Sequence, residues 1–250
     1  MNGFEKHNLQ HSSASSINQW ADAPCSWIAK YLFNKKFSFS NAARAGVLAE
    51  EAVTNIIGRG WLEADAIKEA TTQYNKACAF GASESDRKRG EAIPEMIRLA
   101  VAELKQYGTP EFDGGKQKKI EVQCNGDGWS LPIIGYLDYD FPQHGLVIDL
   151  KTTLKLPSQM SNGHLRQQAI YQKAKGNYRV KFLYCTPKKS QVFDCGDTTN
   201  ILGEIKTILN RQEAFLRLGD AETLRRVIPV SQESYYWTGD AMIRKELYDL

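Results

Sequence analysis

The stretch Gly135-Tyr-Leu-Asp-Tyr-Asp-Phe-Pro-Gln-His-Gly-Leu-Val-Ile-Asp-Leu-Lys-Thr-Thr153 decides how this chain is read. Residues 135–141 and 146–151 have strand character, and Pro142-Gln-His-Gly145 between them is a turn. Alternate residues of a strand share a face, so Asp149 and Lys151 point the same way. Asp138 comes early enough for the chain to reverse and set a second carboxylate beside Asp149. Asp149 follows Leu146-Val-Ile148, a run typical of a buried strand, where a carboxylate is costly unless paired or metal-bound. Two carboxylates and an amine so placed suit metal-assisted phosphodiester hydrolysis. The carboxylates hold a hard divalent cation, and the amine steadies an attacking water or a developing charge. The plainer reading is a surface ion pair between Asp149 and Lys151, with Asp138 a turn residue beside Asp140.

Working outward, residues 118–123 and 130–134 are strands separated by the turn former Asn125-Gly-Asp-Gly128, a hairpin whose second strand continues through 135–141. Downstream come a helix over 162–174 closed by Gly176, a hairpin of 179–186 and 190–195 across Pro187-Lys-Lys189, a long final helix over 198–218, and a mixed tail containing Tyr235-Tyr-Trp237. Upstream, residues 1–11 are polar and read as loose. Ser16 with Gln19 fits a capping box for a helix starting near residue 17, and Pro24 divides that region into two short helices. Helices follow over 41–59, ended by Gly58 and Gly60, and over 64–79. Gly81-Ala-Ser-Glu-Ser85 reads as a loop and 91–107 as a helix. A helical N-terminal half followed by β-β-β-α-β-β and a helix predicts one domain over 1–250. Its class is α+β or α/β, with a small mixed central sheet flanked by helices.

The bulk numbers fit a globular chain: 250 residues, 42% hydrophobic, 24% charged and a net charge of +3, which permits a polyanionic partner without demanding one. The five cysteines (25, 78, 124, 185 and 195) are odd in number, scattered and without a C-x-x-C pair. That argues against a disulfide framework or a zinc ribbon and suits a reducing compartment. No run of about 18 apolar residues and no apolar core behind Met1 are present, so the expectation is a cytoplasmic protein that avoids membranes. His7, His11, His144 and His164 have no metal spacing, and Gly114-Gly-Lys116 is a turn rather than part of a phosphate-binding loop, so no motor is expected.

Gly135-Tyr-Leu-Asp138, then Asp149-Leu-Lys-Thr152, then Gln167-Gln-Ala-Ile-Tyr171 on a helix, resembles the RecB-like branch of the PD-(D/E)XK nucleases. Upstream pieces agree in order: Ser13-Ala-Ser-Ser-Ile-Asn-Gln-Trp20 with Ala23-Pro-Cys-Ser-Trp27, and Gly46-Val-Leu-Ala-Glu50. The resemblance spans residues 12–195. Leu137 precedes Asp138 where the family's name has proline.

The resemblance implies a restriction-endonuclease-like fold and a metal-dependent DNA nuclease, in first place an exonuclease acting at DNA ends in recombination, repair or phage DNA metabolism. Asp138, Asp149 and Glu50 would ligate Mg²⁺ or Mn²⁺ with the Leu150 carbonyl, and Glu51 competes with Glu50 for the helix position. Lys151 would orient or deprotonate the water, or offset charge. Gln167 and Tyr171, four apart on one helix face, would position the lysine or contact the DNA backbone. An iron–sulfur cluster, held in some relatives by one N-terminal and three C-terminal cysteines, is not expected: Cys25 takes the first place, but no cysteine follows Cys195. Cys25 is then a core residue. Lys35-Lys36, Arg87-Lys-Arg89, Lys116, Lys118-Lys119, Lys188-Lys189 and Arg225-Arg226 could guide DNA, with Trp20, Trp27 and Trp129 stacking on bases. Recombinase, single-strand-binding or helicase partners fit such a role. Related phage enzymes form ring-shaped trimers, but no oligomer interface is legible. The alternatives are a structure-selective endonuclease, a silent nucleic-acid-binding module on the same fold, and an α+β protein with accidental motifs, whose carboxylates would lie far apart.

Overall fold

Strand pairing changes partner at Asp138. The computed structural model describes residues 1–123, 128–194, 196–231, 234–237 and 240–249. Residues 125–127 of the hairpin turn expected at 125–128, and Cys124 and Cys195, lie outside them. The fold is α+β, as expected, but the described residues form two small mixed sheets instead of one. β1 (Ser12–Ser13), β2 (Lys118–Val122) and β3 (Ile133–Leu137) form the first in the order β1-β3-β2, with β1 parallel and β2 antiparallel to β3. β4 (Tyr139–Phe141), β5 (Leu146–Thr152), β6 (Arg179–Cys185) and β7 (Ser190–Phe193) form the second in that order, with β5 and β6 parallel.

The run expected to be one strand over 135–141 is therefore split at Asp138. Its physical cause is a competing acceptor. The β4–β5 ladder ends at Tyr139 opposite Ile148, and the Leu150 N–H beyond it is taken by Asp138 Oδ2 at 2.9 Å. A side chain replaces the next backbone rung, the strands part, and a fork opens between the two sheets.

The second sheet is covered on both faces. Ile148, Leu150, Leu183 and Cys185 pack toward α4 (Asn41–Arg59), α5 (Glu63–Ala77) and α6 (Glu84–Lys105). The alternate residues Val147, Phe182 and Tyr184 pack toward α2 (Ala14–Asp22), α7 (Asn162–Lys175) and α8 (Thr199–Arg217). On α4 the buried residues Ala45, Ala49, Ala52 and Val53 make a helical stripe of small side chains that lets this helix approach the sheet closely. Ser40 caps its start and Gly60, at φ 72, ends it. α3 (Pro24–Tyr31), α9 (Ala221–Val227) and α10 (Ala241–Tyr248) complete the fold, and Cys25 is buried beside Ala29, Trp237 and Leu247. The chain beyond 218 thus carries further helices, so α8 is not the last.

Three local expectations are corrected. Residues 1–11 are not loose: α1 (Gly3–Lys6) has a capping box between Asn2 and Glu5, and Phe4 is buried. Gly3 lies so close to α8 that a Cβ there would sit 2.4 Å from the Glu213 carbonyl oxygen. α2 begins at Ala14, capped by Ser13, while the Ser16 hydroxyl accepts from the Trp27 indole at 2.8 Å. α6 begins at Glu84, because Ser83 and Asp86 form a capping box in the expected loop, and the helix carries Pro94. No described helix is long and apolar enough to cross a membrane.

Candidate functional site

The fork at Asp138 gathers the charged residues singled out in the sequence. Asp149 and Lys151 share a face of β5, and the Lys151 ammonium contacts Asp149 Oδ2. Asp149 is 1% exposed and Asp138 is 7% exposed. Asp138 spans the gap by its bond to the Leu150 N–H, and a residue's N–H and C=O point to the same strand edge, so the Leu150 carbonyl also faces the fork. Glu50 arrives from α4, on the opposite side of the sheet from α7. The Tyr139 hydroxyl donates to the Glu50 carbonyl oxygen at 3.2 Å and pins that turn of α4 over β4. Glu51 points outward and pairs with Arg59 at 2.8 Å, so of the two it is Glu50 that faces the fork.

One residue that the sequence did not flag joins this group. Gln117 Nε2 donates to Glu50 Oε1 at 2.7 Å and to Asp138 Oδ1 at 2.7 Å. The two carboxylates therefore lie within two hydrogen-bond lengths of one another, contrary to the accidental-motif reading. A lone glutamine just before a strand carries no periodicity or motif that would have marked it.

Gln167 and Tyr171 are present at the site, and their contacts run to Asp149. Gln167 Nε2 donates to Asp149 Oδ1 at 2.8 Å and to the Tyr171 hydroxyl at 2.8 Å. Tyr171 in turn donates to the Tyr136 carbonyl at 2.6 Å. They act on Asp149 directly and on Lys151 only through it, and Tyr171 is 4% exposed. Gly135 permits this: a Cβ there would lie 2.8 Å from the Tyr171 ring. By contrast, a Cβ on Gly46 would make only an ordinary 3.6 Å contact with Thr152, so Gly46 is not sterically required.

The electrostatics are unbalanced. Glu50, Asp138 and Asp149 face one ammonium. Burial, and then the negative charge of Asp149, push Glu50 up to about 7 from 4.5. Burial and the charges of Asp149 and Glu50 raise Asp138 well above the carboxylate range, and burial raises Asp149 against the pull of Lys151. Burial works to lower Lys151, but Asp149, Asp138 and Glu50 outweigh it and hold the lysine as an ammonium ion. Nearby, His164 stacks on Phe182 and bonds to the Tyr184 hydroxyl; burial and Lys151 lower it to about 4, so it is neutral.

Buried carboxylate oxygens in excess over cationic partners are the donor set of a hard divalent cation. Asp138, Asp149, Glu50 and the Leu150 carbonyl fit Mg²⁺ or Mn²⁺ in chemical type. As the side chains lie, no group of three or more His, Cys, Asp or Glu among the described residues forms a ready-made ion cage. An amide spans two of the carboxylates instead.

This imbalance has a pH consequence. Between pH 4.5 and about 7 the folded chain keeps a proton on Glu50 that the unfolded chain has released. The contribution of Glu50 to the stability of the metal-free protein is therefore fully present below pH 4.5 and is lost as pH rises through that window, a change of about 3 kcal/mol. Thermal melts in EDTA are expected to show a lower Tm at pH 8 than at pH 5.5, and Glu50→Gln is expected to flatten the difference. Equal slopes for the two proteins would contradict the assignment.

Trp27 and Trp129 are buried in the core, which removes them as stacking surfaces, while the half-buried Trp20 packs on Trp27 and Phe215. Lys35 pairs with Glu246, and Lys118 with Glu111 and Asp140, which takes both out of the set of free basic guides.

No family model matches the chain, and no curated protein matches it. A solved structure described as "Crystal structure of SSO0001" aligns at 16% identity with a TM-score of 0.35, covering 70% of this chain and 95% of that one. A likeness at that level bears on no functional assignment.

Proposed function

We propose that this chain is a divalent-metal-dependent DNA nuclease, acting as an exonuclease on DNA ends. The observation that carries the reading is the meeting at one fork of Glu50, Asp138 and Asp149 with the single ammonium of Lys151. Asp138, Asp149, Glu50 and the Leu150 carbonyl would hold the cation. Such an ion, when bound, supplies Lewis-acid polarisation of a phosphoryl oxygen and a more acidic water.

The chain's own residues do the rest. Lys151, held as a cation by its neighbours, offsets negative charge that builds on the phosphate, a stabilising role rather than that of a base. Asp149 fixes the ammonium from one oxygen, and Gln167 fixes Asp149 from the other. Tyr171, anchored to the Tyr136 carbonyl, keeps Gln167 from rotating.

The test is a cleavage assay on end-labelled linear DNA, single- and double-stranded, beside a covalently closed circle, with Mg²⁺, Mn²⁺ or EDTA. Linear DNA is expected to be shortened with either metal and spared in EDTA, with the circle intact. Cutting of the circle would replace exonuclease by endonuclease. Metal binding without any cleavage would leave a silent DNA-binding module.

A further inference from the structure

Gln117 occupies a place for which nuclease chemistry has no obvious need of an amide. Its Nε2 gives one hydrogen to Glu50 and one to Asp138, crossing from α4 to the bend between β3 and β4. The segment that carries it is a docked flap. Asp113 and Lys116 exchange both backbone hydrogen bonds, at 2.9 and 3.0 Å, around Gly114 and Gly115 at φ 54 and 78. Positive φ at both central residues is the two-residue turn that glycine adopts without steric cost.

The flap is fastened at both ends. The Glu111 N–H donates to the Asp140 carbonyl at 2.7 Å. Arg59 donates to the Gly115 carbonyl at 2.8 Å while also binding Asn55 at 2.6 Å. Phe112 packs so tightly on α4 that a Cβ on Gly58 would lie 2.3 Å from its ring. Held from α4 on one side and β4 on the other, Gln117 has little choice but to lie over the two carboxylates.

We infer that Gln117 is the counter-group of the metal-free centre: its amide makes the bonds to Glu50 and Asp138 that a divalent cation makes in the loaded protein, so amide and ion compete for the same oxygens. The inference rests on the metal-centre reading above. It is the nitrogen, not the carbonyl oxygen, that faces the carboxylates, and N–H groups cannot ligate a cation. Gln117 must therefore turn away when the ion enters, and the fastened flap opposes that turn. The flap thereby lowers metal affinity while protecting the buried Asp138 and the half-buried Glu50 in the ion's absence.

Mn²⁺ titration by calorimetry and melting in EDTA at pH 8 test this on the wild type, Gln117→Ala and Gln117→Glu. Gln117→Ala is expected to bind Mn²⁺ about tenfold more tightly and to melt at a lower temperature without metal. Gln117→Glu, which removes the donor and adds a further carboxylate, is expected to melt lowest in EDTA and to gain most from Mn²⁺. Equal or weaker Mn²⁺ binding by Gln117→Ala overturns the inference, because a ligand or a purely structural residue would not compete. A readout on the unaltered protein stands beside the variants. The Gln117 side-chain amide protons should exchange slowly in EDTA and lose that protection on adding Mg²⁺; unchanged protection also overturns it. A wild type that binds no divalent ion removes the metal-centre reading itself, whereas a wild type that binds while Gln117→Ala matches it removes only the role of Gln117.

Discussion

Asp149→Asn is expected to lower metal-dependent DNA cleavage by about a thousandfold or more. Asp149 is the hub of the fork: one oxygen meets the Lys151 ammonium and the other accepts from Gln167, with the side chain almost fully buried. Asparagine keeps the shape and can still accept one hydrogen bond. It loses the formal charge that would hold a cation and that fixes the ammonium. Two contributions to transition-state stabilisation then fall together, which is why a single isosteric change should cost so much. Mn²⁺ affinity should fall by about tenfold or more in the same variant. Glu51→Gln is the matched control: Glu51 sits one residue from Glu50 but pairs outward with Arg59, so its cleavage rate should stay within about twofold of the parent. Cleavage that survives Asp149→Asn, or that is lost equally in Glu51→Gln, would remove the site from this fork.

What the sequence made legible was the part of the site that lies in strands. Alternation placed Asp149 and Lys151 on one face, and the turn at Pro142–His144 returned the chain so that Asp138 met Leu150. Helical spacing placed Gln167 and Tyr171 on one side of α7, yet it could not say which strand residue they serve. That depends on the Gly135 gap through which Tyr171 reaches Tyr136. The split of the sheet was hidden because Tyr139–Phe141 continues the strand pattern; only the side chain of Asp138, competing for a backbone N–H, breaks it. Gln117 was hidden for another reason. Its importance comes from tertiary fastening through Gly58, Arg59 and Asp140, contacts that join segments far apart in the chain. The N-terminal segment misled because a polar composition hides one buried anchor, Phe4.

Asp140, the aspartate two residues from Asp138, is expected to act oppositely under substitution. It is 0% exposed, and its Oδ2 meets two ammonium groups, Lys175 at 2.8 Å and Lys118 at 3.1 Å. Bonds to Asp140 and then to Glu111 raise Lys118, the sign of a satisfied pair. Where Asp138 has an excess of negative neighbours, Asp140 has cations to spare, so it is a structural charge rather than a ligand. Asp140→Ala would leave Lys175, 14% exposed and lying over the Tyr178 ring at 4.0 Å, as a half-buried cation without its carboxylate. Removing one member of such a buried pair costs about 3–5 kcal/mol. Urea unfolding of Asp140→Ala should show a loss of that size at pH 7, with Mn²⁺ binding retained wherever the fold is populated. Adding Lys175→Met should recover a large part of the loss, because the stranded charge is then gone. A loss below about 1 kcal/mol, or a double variant no more stable than Asp140→Ala alone, would show that the two lysines are held by solvent rather than by Asp140.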